Sequence, residues 1–170
     1  DSLAMVDLRK ALDLDPKSIA TLATLGNRFL DLQQNDSAIH YYDMILALDP
    51  NDRLCLHNRG YAHMQAGRQK EAIRDFEECL ELDSDFAFAH NNMGWALHLD
   101  GRSKEALPHI ERSIAMQPEN AYAFYNKGRV LQVLGRTEEA CAAWDHAIAI
   151  GFRKGFGDMV DQELAKHCGR

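Results

Sequence analysis

The sequence is short of proline, of basic charge and of long apolar runs. Only 4 of its 170 residues are proline, a composition that disfavours a turn-rich all-β chain. Lys and Arg together number 19 against 26 Asp and Glu, which gives a net charge of −7. We therefore expect neither nucleic acid nor an anionic membrane as a partner, because both require a basic face. No apolar run approaches the roughly 18 residues of a membrane-spanning helix, so we expect a soluble, helical protein.

Cysteine is present but is not arranged for metal binding. The four cysteines are Cys55, Cys79, Cys141 and Cys168, at irregular intervals and without a C-x-x-C pair. Zinc sites are usually built from ligand pairs at such short spacing, so we expect no metal and no cofactor. The low cysteine density is unlike that of small secreted disulfide scaffolds. We expect free thiols in a reducing compartment, and hence a cytoplasmic location, although an even number of cysteines leaves two disulfides open.

The sequence repeats with a period of 34 residues. Three residue types keep this interval: Gly26, Gly60, Gly94 and Gly128; Ala4, Ala38, Ala72, Ala106 and Ala140; and Pro16, Pro50 and Pro118. Gly-Arg pairs at residues 67–68, 101–102 and 135–136 mark a further common position. A fixed period of this length is typical of helical repeat proteins.

Each repeat predicts two helices. In residues 19–52 the apolar residues fall three and four positions apart, first from Leu22 to Leu32 and then from Ala38 to Leu48, which is the period of a helix. The Gly-Arg step separates the two helices in the later repeats, since glycine readily adopts the left-handed conformation that ends a helix. The small Gly and Ala residues are expected to let paired helices approach closely.

The starts of the helices are marked by residues that can cap them. Good N-cap residues precede three first helices, at Ser18, Asp52 and Asn120, and two second helices, at Ser103 and Thr137. Their side-chain oxygens accept hydrogen bonds from the first free backbone N–H groups of the helix. Phe86, at the same position as Ser18 and Asp52, has no such oxygen.

The first full repeat follows the pattern of a known family. That pattern is a large residue, Leu-Gly, an aromatic residue, alanine, a second aromatic residue and proline, met here by Leu22, Leu25, Gly26, Phe29, Ala38, Tyr42 and Pro50. In these residues the chain resembles the tetratricopeptide repeat (TPR) family, and the later repeats keep most of the pattern. The resemblance implies an all-α fold, a right-handed superhelical solenoid of helix–turn–helix repeats with a C-terminal capping helix.

The resemblance also divides the chain. We expect an incomplete N-terminal repeat, represented by its second helix, then four full repeats and a C-terminal capping helix. Their ranges are 1–18, 19–52, 53–86, 87–120, 121–154 and 155–170. Because a lone second helix leaves its partner face bare, we expect further sequence before residue 1.

The C-terminal segment carries an apolar stripe, as the cap of a solenoid requires. The stripe consists of Phe152, Phe156, Met159, Val160 and Leu164, and we expect it to pack on the fourth repeat. The glycines at 151, 155 and 157 lack the Lys-Ser/Thr of a phosphate-binding loop, so no nucleotide site is predicted.

The first helices are predicted to line the concave groove of the solenoid. Asn58, Asn92 and Asn126 recur there at one position of the repeat, and an amide side chain offers both a donor and an acceptor to an extended peptide. Neighbouring aromatic residues offer rigid contact area. The candidate groove residues are Asn27, His57, Asn58, Tyr61, Phe88, Asn91, Asn92, Trp95, Tyr122, Tyr125, Asn126 and Arg129. In TPR proteins that bind extended peptides, asparagines at this position hold the ligand backbone, so the resemblance implies a protein or peptide partner.

Two interpretations of the function stay open. The first is a protein–protein interaction module that binds an extended peptide or a partner surface. The second is a structural spacer or an oligomerisation arm of a longer protein, with self-association. The asparagines also leave two readings, since they can hydrogen-bond locally within the stack instead of to a ligand. Ala23, Phe88 and Asn92 stand where the family's clamp for a terminal carboxylate has basic residues, so that clamp is incomplete.

Enzymatic activity and RNA binding are not predicted. The eight histidines are scattered over different helices, and no catalytic triad or H-E-x-x-H motif accompanies them. Helical repeats that recognise RNA would need a more basic groove. Arg59 and Lys127 fall where other repeats have apolar residues, and we expect their aliphatic stems to pack while their charges reach the helix edge.

Overall fold

The computed structural model describes residues 3–152 and 158–169 of the chain. These residues form ten α-helices and no strand, which confirms the predicted all-α helical repeat solenoid. They divide between two compact units, Asp1–Ser84 (unit 1) and Asp85–Arg170 (unit 2). The predictions made for Phe156 and for the glycines at 155 and 157 lie outside the described residues.

Unit 1 contains a single helix followed by two helix–turn–helix pairs. The helices are α1 (Leu3–Leu14), α2 (Ile19–Asp31), α3 (Asn35–Leu48), α4 (Arg53–Gln65) and α5 (Gln69–Leu82). Helix α2 packs on α3 and α4 packs on α5, while α3 joins the two pairs by packing on α4. Leu22, Leu25 and Tyr42 are buried in the core of the first pair, which Met5 of α1 joins.

Unit 2 contains two further pairs and a terminal helix. The helices are α6 (Ala87–Leu99), α7 (Ser103–Met116), α8 (Ala121–Val133), α9 (Thr137–Ala149) and α10 (Met159–Cys168). Helix α6 packs on α7, α7 on α8, α8 on α9, and α10 on α9. Of the predicted terminal stripe, Phe152, Val160 and Leu164 are buried, whereas Met159 is exposed.

The predicted N-caps are confirmed for the first helices only. Ser18 accepts a hydrogen bond from the Thr21 backbone N–H, and Asp52 accepts one from that of Cys55. Asn120 caps α8 in the same way, and Phe86 caps nothing with its side chain. The prediction for Ser103 and Thr137 is wrong, because α7 and α9 begin with these residues and Arg102 and Arg136 precede them. The hydroxyl of Ser103 lies 3.0 Å from Nδ1 of His98 instead.

Four glycines bring the paired helices together, as predicted. Each one faces a large side chain sixteen residues further on, in the pairs Gly26 with Tyr42, Gly60 with Phe76, Gly94 with Ile110 and Gly128 with Trp144. A Cβ atom at Gly26 would lie 2.7 Å from the Tyr42 ring, which is closer than non-bonded carbon atoms approach. The repeating glycine therefore sets the contact between first and second helix.

Arg59 and Lys127 do more than reach the helix edge, which corrects the prediction. Arg59 of α4 donates to both carboxylate oxygens of buried Asp75 on α5, at 2.9 and 2.6 Å. The same guanidinium donates to Asp43 of α3 at 2.8 Å. Lys127 of α8 pairs with Glu111 of α7 at 2.8 Å. Both cations thus join a first helix to the second helix that precedes it.

The prediction of free thiols is wrong for two of the four cysteines. Cys141 and Cys168 form a disulfide, while Cys55 and Cys79 are free and buried. Because α10 packs on α9, the two Cα atoms are 6.0 Å apart, a distance that a disulfide spans. The sequence separation of 27 residues gives no sign of this contact, and the thiol argument for a reducing compartment no longer holds.

Candidate functional site

Unit 1 brings three candidate residues into one polar chain on its first helices. Asn58 of α4 donates from Nδ2 to Oδ1 of Asn27 on α2, at 3.3 Å. That oxygen also accepts from the Tyr42 hydroxyl at 2.7 Å, and Nδ1 of His57 lies 3.1 Å from Oδ1 of Asn58. Asn27 is exposed and Asn58 and His57 are half-buried. We call Asn27, His57, Asn58 and Tyr61 the unit 1 surface.

Tyr61, the fourth residue of the unit 1 surface, lies at the edge of a cavity. Its hydroxyl accepts from the side-chain amide of Gln65 at 2.7 Å. A cavity of about 470 Å³ opens here, and its lining also includes Leu30, Asp31, Gln33 and Asn35. None of these four lining residues was predicted from the sequence, since only Tyr61 lies at the repeating groove position.

Unit 2 stacks a cation on an indole. The guanidinium carbon of Arg129 on α8 lies 5.9 Å from the centre of the Trp95 ring on α6, within range of a cation–π interaction. His98, one turn after Trp95, packs on the same indole with ring centres 4.9 Å apart. Burial and then the charge of Arg129 lower the pKa of His98, so this imidazole is neutral at neutral pH and the indole carries one positive neighbour.

Phe88 and Tyr122 extend the aromatic character of unit 2. They occupy the same position of successive repeats, 34 residues apart on α6 and α8. Phe88 is 50% exposed, and Tyr122 and Asn92 are half-buried. We call Phe88, Asn92, Trp95, Tyr122 and Arg129 the unit 2 surface. Of its three aromatic residues, Phe88 is exposed, while Trp95 and Tyr122 are half-buried.

Three of the predicted groove residues are inside unit 2, which corrects the expectation that they face a ligand. Asn126 is 0% exposed and Asn91 and Tyr125 are each 3% exposed. Asn126 of α8 donates to Asn91 of α6 at 3.1 Å, so this amide ties two neighbouring first helices together. Tyr125 is covered by Phe152, with ring centres 5.0 Å apart. For Asn126 and Asn91 the local hydrogen bond is the reading that the structure supports.

Glu163 contacts a candidate residue but was not predicted from the sequence. This residue of α10 pairs with Arg129 at 3.1 Å and with His167 at 3.5 Å, and its side chain is largely buried. The signal was present, because Trp95, Arg129 and Glu163 follow one another at the 34-residue interval. The period of the repeats thus continues into the terminal helix.

The two free cysteines are buried among the described residues. Burial raises the pKa of the Cys55 thiol to about 12 and that of Cys79 to about 11, so neither is a thiolate at neutral pH and neither is a ready nucleophile. The described part of the chain holds no group of three or more His, Cys, Asp or Glu residues placed to bind a metal ion. No described helix is long and apolar enough to cross a membrane.

Sequence comparison identifies repeats over the middle of the chain. Two family models described as tetratricopeptide repeat match it, one over residues 54–86 and the other over residues 76–107 and 109–142. Together the matched segments cover just over half of the chain. No curated protein sequence matches it.

Solved structures with the same fold include several repeat proteins. The chain is 21% identical to MamA 41-end from Desulfovibrio magneticus RS-1, with a TM-score of 0.71 over 89% of this chain and 93% of that one. It is 16% identical to TTC0263, a thermophilic TPR protein in Thermus thermophilus, with a TM-score of 0.78 over 96% and 88%. It is also 23% identical to the first TPR of Spaghetti (RPAP3) bound to HSP90 peptide SRMEEVD, with a TM-score of 0.66 over 69% and 95%. At these identities the likeness concerns the fold.

Proposed function

Because the chain belongs to the tetratricopeptide repeat family, a family of protein–protein interaction modules, we propose that it binds an extended segment of a partner protein on the unit 2 surface. The observation that carries this proposal is that α6 presents two aromatic residues two turns apart, Phe88, which is 50% exposed, and Trp95, which is half-buried. An exposed ring of this size loses apolar surface to water when a partner covers it, and this burial favours binding.

The surface defines the chemistry of the segment. Phe88, Trp95 and Tyr122 offer apolar contact area to its side chains, while Asn92 offers an amide to its backbone. Arg129 is already paired with Glu163, so the surface carries little net charge of its own. We infer a segment with aromatic or aliphatic anchor residues in place of a highly charged one.

The unit 1 surface is the polar counterpart within its own unit. Asn27 and Asn58 hydrogen-bond to each other, yet Asn27 is exposed and an amide pair retains further donors and acceptors. We assign this surface to backbone contacts with a partner segment. The neighbour bound to an HSP90 peptide supports peptide binding as a use of this fold, without identifying the ligand of this chain.

Selection from a displayed library of random peptides tests the proposal. The full chain serves as the target, and enriched peptides are measured by calorimetry against three variants whose folding is checked by circular dichroism. Trp95→Ala is expected to weaken binding by about 2 kcal/mol, roughly thirtyfold, as for an aromatic hot spot. Asn92→Ala is expected to weaken it by about 0.5–1.5 kcal/mol, the value of one hydrogen bond.

Lys104→Ala is the matched control, because Lys104 is an exposed residue of α7, a second helix of the same unit. It should leave the affinity unchanged. Peptides that bind the wild type and all three variants with equal affinity would show that the binding surface lies elsewhere on the chain. Failure to enrich any peptide would favour the interpretation as a spacer or oligomerisation arm.

A further inference from the structure

The terminal helix α10 is weakly held by its apolar contacts. It has ten residues, and helices shorter than about 12–15 residues are marginal in water without tertiary packing. Only Val160 and Leu164 of this helix are buried among the described residues. Other elements of unit 2 bury five or more side chains on one helix, as α6 and α9 do. The position of α10 must therefore depend on something besides its apolar face.

The disulfide supplies that restraint. It joins Cys141 near the start of α9 to Cys168, the last residue of α10. A covalent link at the end of a short helix keeps the helix next to its neighbour even when its own packing is insufficient, because it limits the conformations available to the undocked segment. Cys141 is buried and Cys168 is half-buried, so Cys168 is the more accessible end of the link.

The docked helix also controls one residue of the unit 2 surface. One carboxylate oxygen of Glu163 on α10 forms an ion pair with Arg129 at 3.1 Å, and His167 of the same helix lies 3.5 Å from the other oxygen. His167 packs near the indole of Trp144, with ring centres 6.0 Å apart. When α10 is docked, Arg129 is therefore paired with a carboxylate of its own chain.

We propose that the Cys141–Cys168 disulfide is a redox switch that holds α10 in place and keeps Arg129 in its internal ion pair. A dithiol reductant opens it: one thiolate attacks the Cys168 sulfur, the S–S bond breaks, and the Cys141 thiolate leaves and takes up a proton. The second thiol of the reductant then displaces Cys168, which yields two cysteine thiols and the oxidised reductant. Once reduced, α10 undocks, and Arg129 becomes available to a carboxylate of a bound segment.

Hydrogen–deuterium exchange on the full chain tests the undocking. The oxidised chain is compared with the chain kept in dithiothreitol and with a Cys141→Ser, Cys168→Ser double variant without reductant. In the two forms that lack the disulfide, amides of residues 159–168 are expected to exchange at least tenfold faster than in the oxidised chain, while amides of α8 keep their protection. Equal protection of 159–168 in all three forms would overturn the proposal, since α10 would then dock without the disulfide.

Modification of arginine by phenylglyoxal tests the release of Arg129. Arg129 is expected to react several-fold faster in the double serine variant than in the oxidised wild type, with exposed Arg74 of unit 1 as the internal reference. Glu163→Gln, with its disulfide intact, gives the reactivity of Arg129 without its ion pair. An Arg129 that stays as slow in the serine variant as in the wild type contradicts the switch.

The inference rests on the proposed function only for the use of the freed Arg129. Neither readout contains a peptide, so the switch can fail while the selected peptides still bind. In the same way, the peptide selection can fail while α10 still responds to reduction.

Discussion

Individual glycines determine how closely the helices of each repeat pack. Gly128 faces the indole of Trp144, and Gly26, Gly60 and Gly94 face their own partners in the same way. The helix itself would prefer alanine at each of these positions, by about 1 kcal/mol. Glycine is needed because the opposite side chain occupies the space that a Cβ atom would take.

Gly128→Ala is predicted to lower the free energy of unfolding by about 1–3 kcal/mol, the usual effect of overpacking a closed core. Urea denaturation followed by circular dichroism measures the change. In a Trp144→Phe background the same substitution should cost less, because the smaller ring leaves room for the methyl group. A variant more stable than the wild type would show that helix preference outweighs the contact.

The turn between the two helices makes a different demand on the backbone. Gly67, Gly101 and Gly135 have φ angles of 76°, 81° and 75°, whereas the first repeat has Gln33 with φ 57° at this position. A residue with a side chain is strained there by about 1–2 kcal/mol. Nothing lies within 4 Å of a Cβ atom placed on Gly101, so the strain arises from the backbone alone.

Two reciprocal variants test this account of the turn. Gln33→Gly is predicted to stabilise the chain by about 0.5–1 kcal/mol, since relief of strain exceeds the added entropy of the unfolded chain. Gly101→Ala is predicted to destabilise it by about 1 kcal/mol. Thermal melting of both variants measures the changes, and shifts of the same sign in the two would contradict the explanation.

At the scale of helices, ion pairs join neighbouring elements with unequal strength. Arg59 of α4 contacts two carboxylates, of which Asp75 on α5 is 5% exposed and Asp43 on α3 is 56% exposed. Loss of Asp75 leaves the half-buried guanidinium of Arg59, which is 21% exposed, with two N–H groups that face the interior and have lost their hydrogen bonds. An exposed partner is replaced by water at little cost.

Asp75→Ala is therefore predicted to destabilise unit 1 by about 3 kcal/mol, and Asp43→Ala by less than about 1 kcal/mol. The two variants remove the same chemical group from the same arginine, so each is the control for the other. Chemical denaturation measures both. Equal losses would show that the buried pair has no special weight in the α4–α5 joint.

The joint between α6 and α7 is predicted to be sensitive to acid. Nδ1 of His109 lies 3.2 Å from Nδ1 of His90, and burial followed by the neighbouring His90 lowers the pKa of His109 below its ordinary 6.5. The unfolded chain then binds more protons than the folded chain at mildly acidic pH. Stability is complete above pH 6.5 and falls as the pH drops below it, until the pH reaches the lowered pKa.

Unfolding free energies measured between pH 7.5 and 5 test this prediction. His109→Gln should reduce the slope of stability against pH, whereas His40→Gln, a change at an exposed histidine of α3, is the control for the substitution itself. The burial of His57 and His98 also lowers their pKa values, so part of the slope should remain. A slope unchanged by His109→Gln would contradict the assignment to the α6–α7 joint.

Across the chain, the 34-residue period predicted most of the fold, but it predicted few of the contacts between segments that are not repeats of one another. It predicted the helix pairs, the glycine contacts and the caps at Ser18, Asp52 and Asn120, because these depend on residues close in sequence. The disulfide depends on how the terminal helix packs, and its two cysteines are 27 residues apart, outside the repeat interval. Glu163 follows Arg129 at the repeat interval, but the period does not tell which of the two side chains' neighbours will form their ion pair.

The candidate site shows the same division. Asn58, Asn92 and Asn126 occupy one position of the repeat, yet Asn27 and Asn58 pair at an exposed surface of unit 1, while Asn126 is buried in unit 2 against Asn91. Equivalent positions in a repeat have equivalent backbones, but their exposure depends on the side chains that neighbour them. A period in sequence therefore predicts which face of its helix a residue occupies, whereas the exposure of its side chain depends on the residues packed around it.

The proposed binding of a partner segment by the first helices can be tested by a map of the residues that the segment contacts. The 15N-labelled full chain is titrated with a selected peptide, and the backbone amide shifts are followed by NMR. We expect the largest changes on α6 and α8, around Trp95 and Tyr122, with the exposed side of α7 and α9 unaffected. Changes concentrated on the second helices α7 and α9 would contradict it.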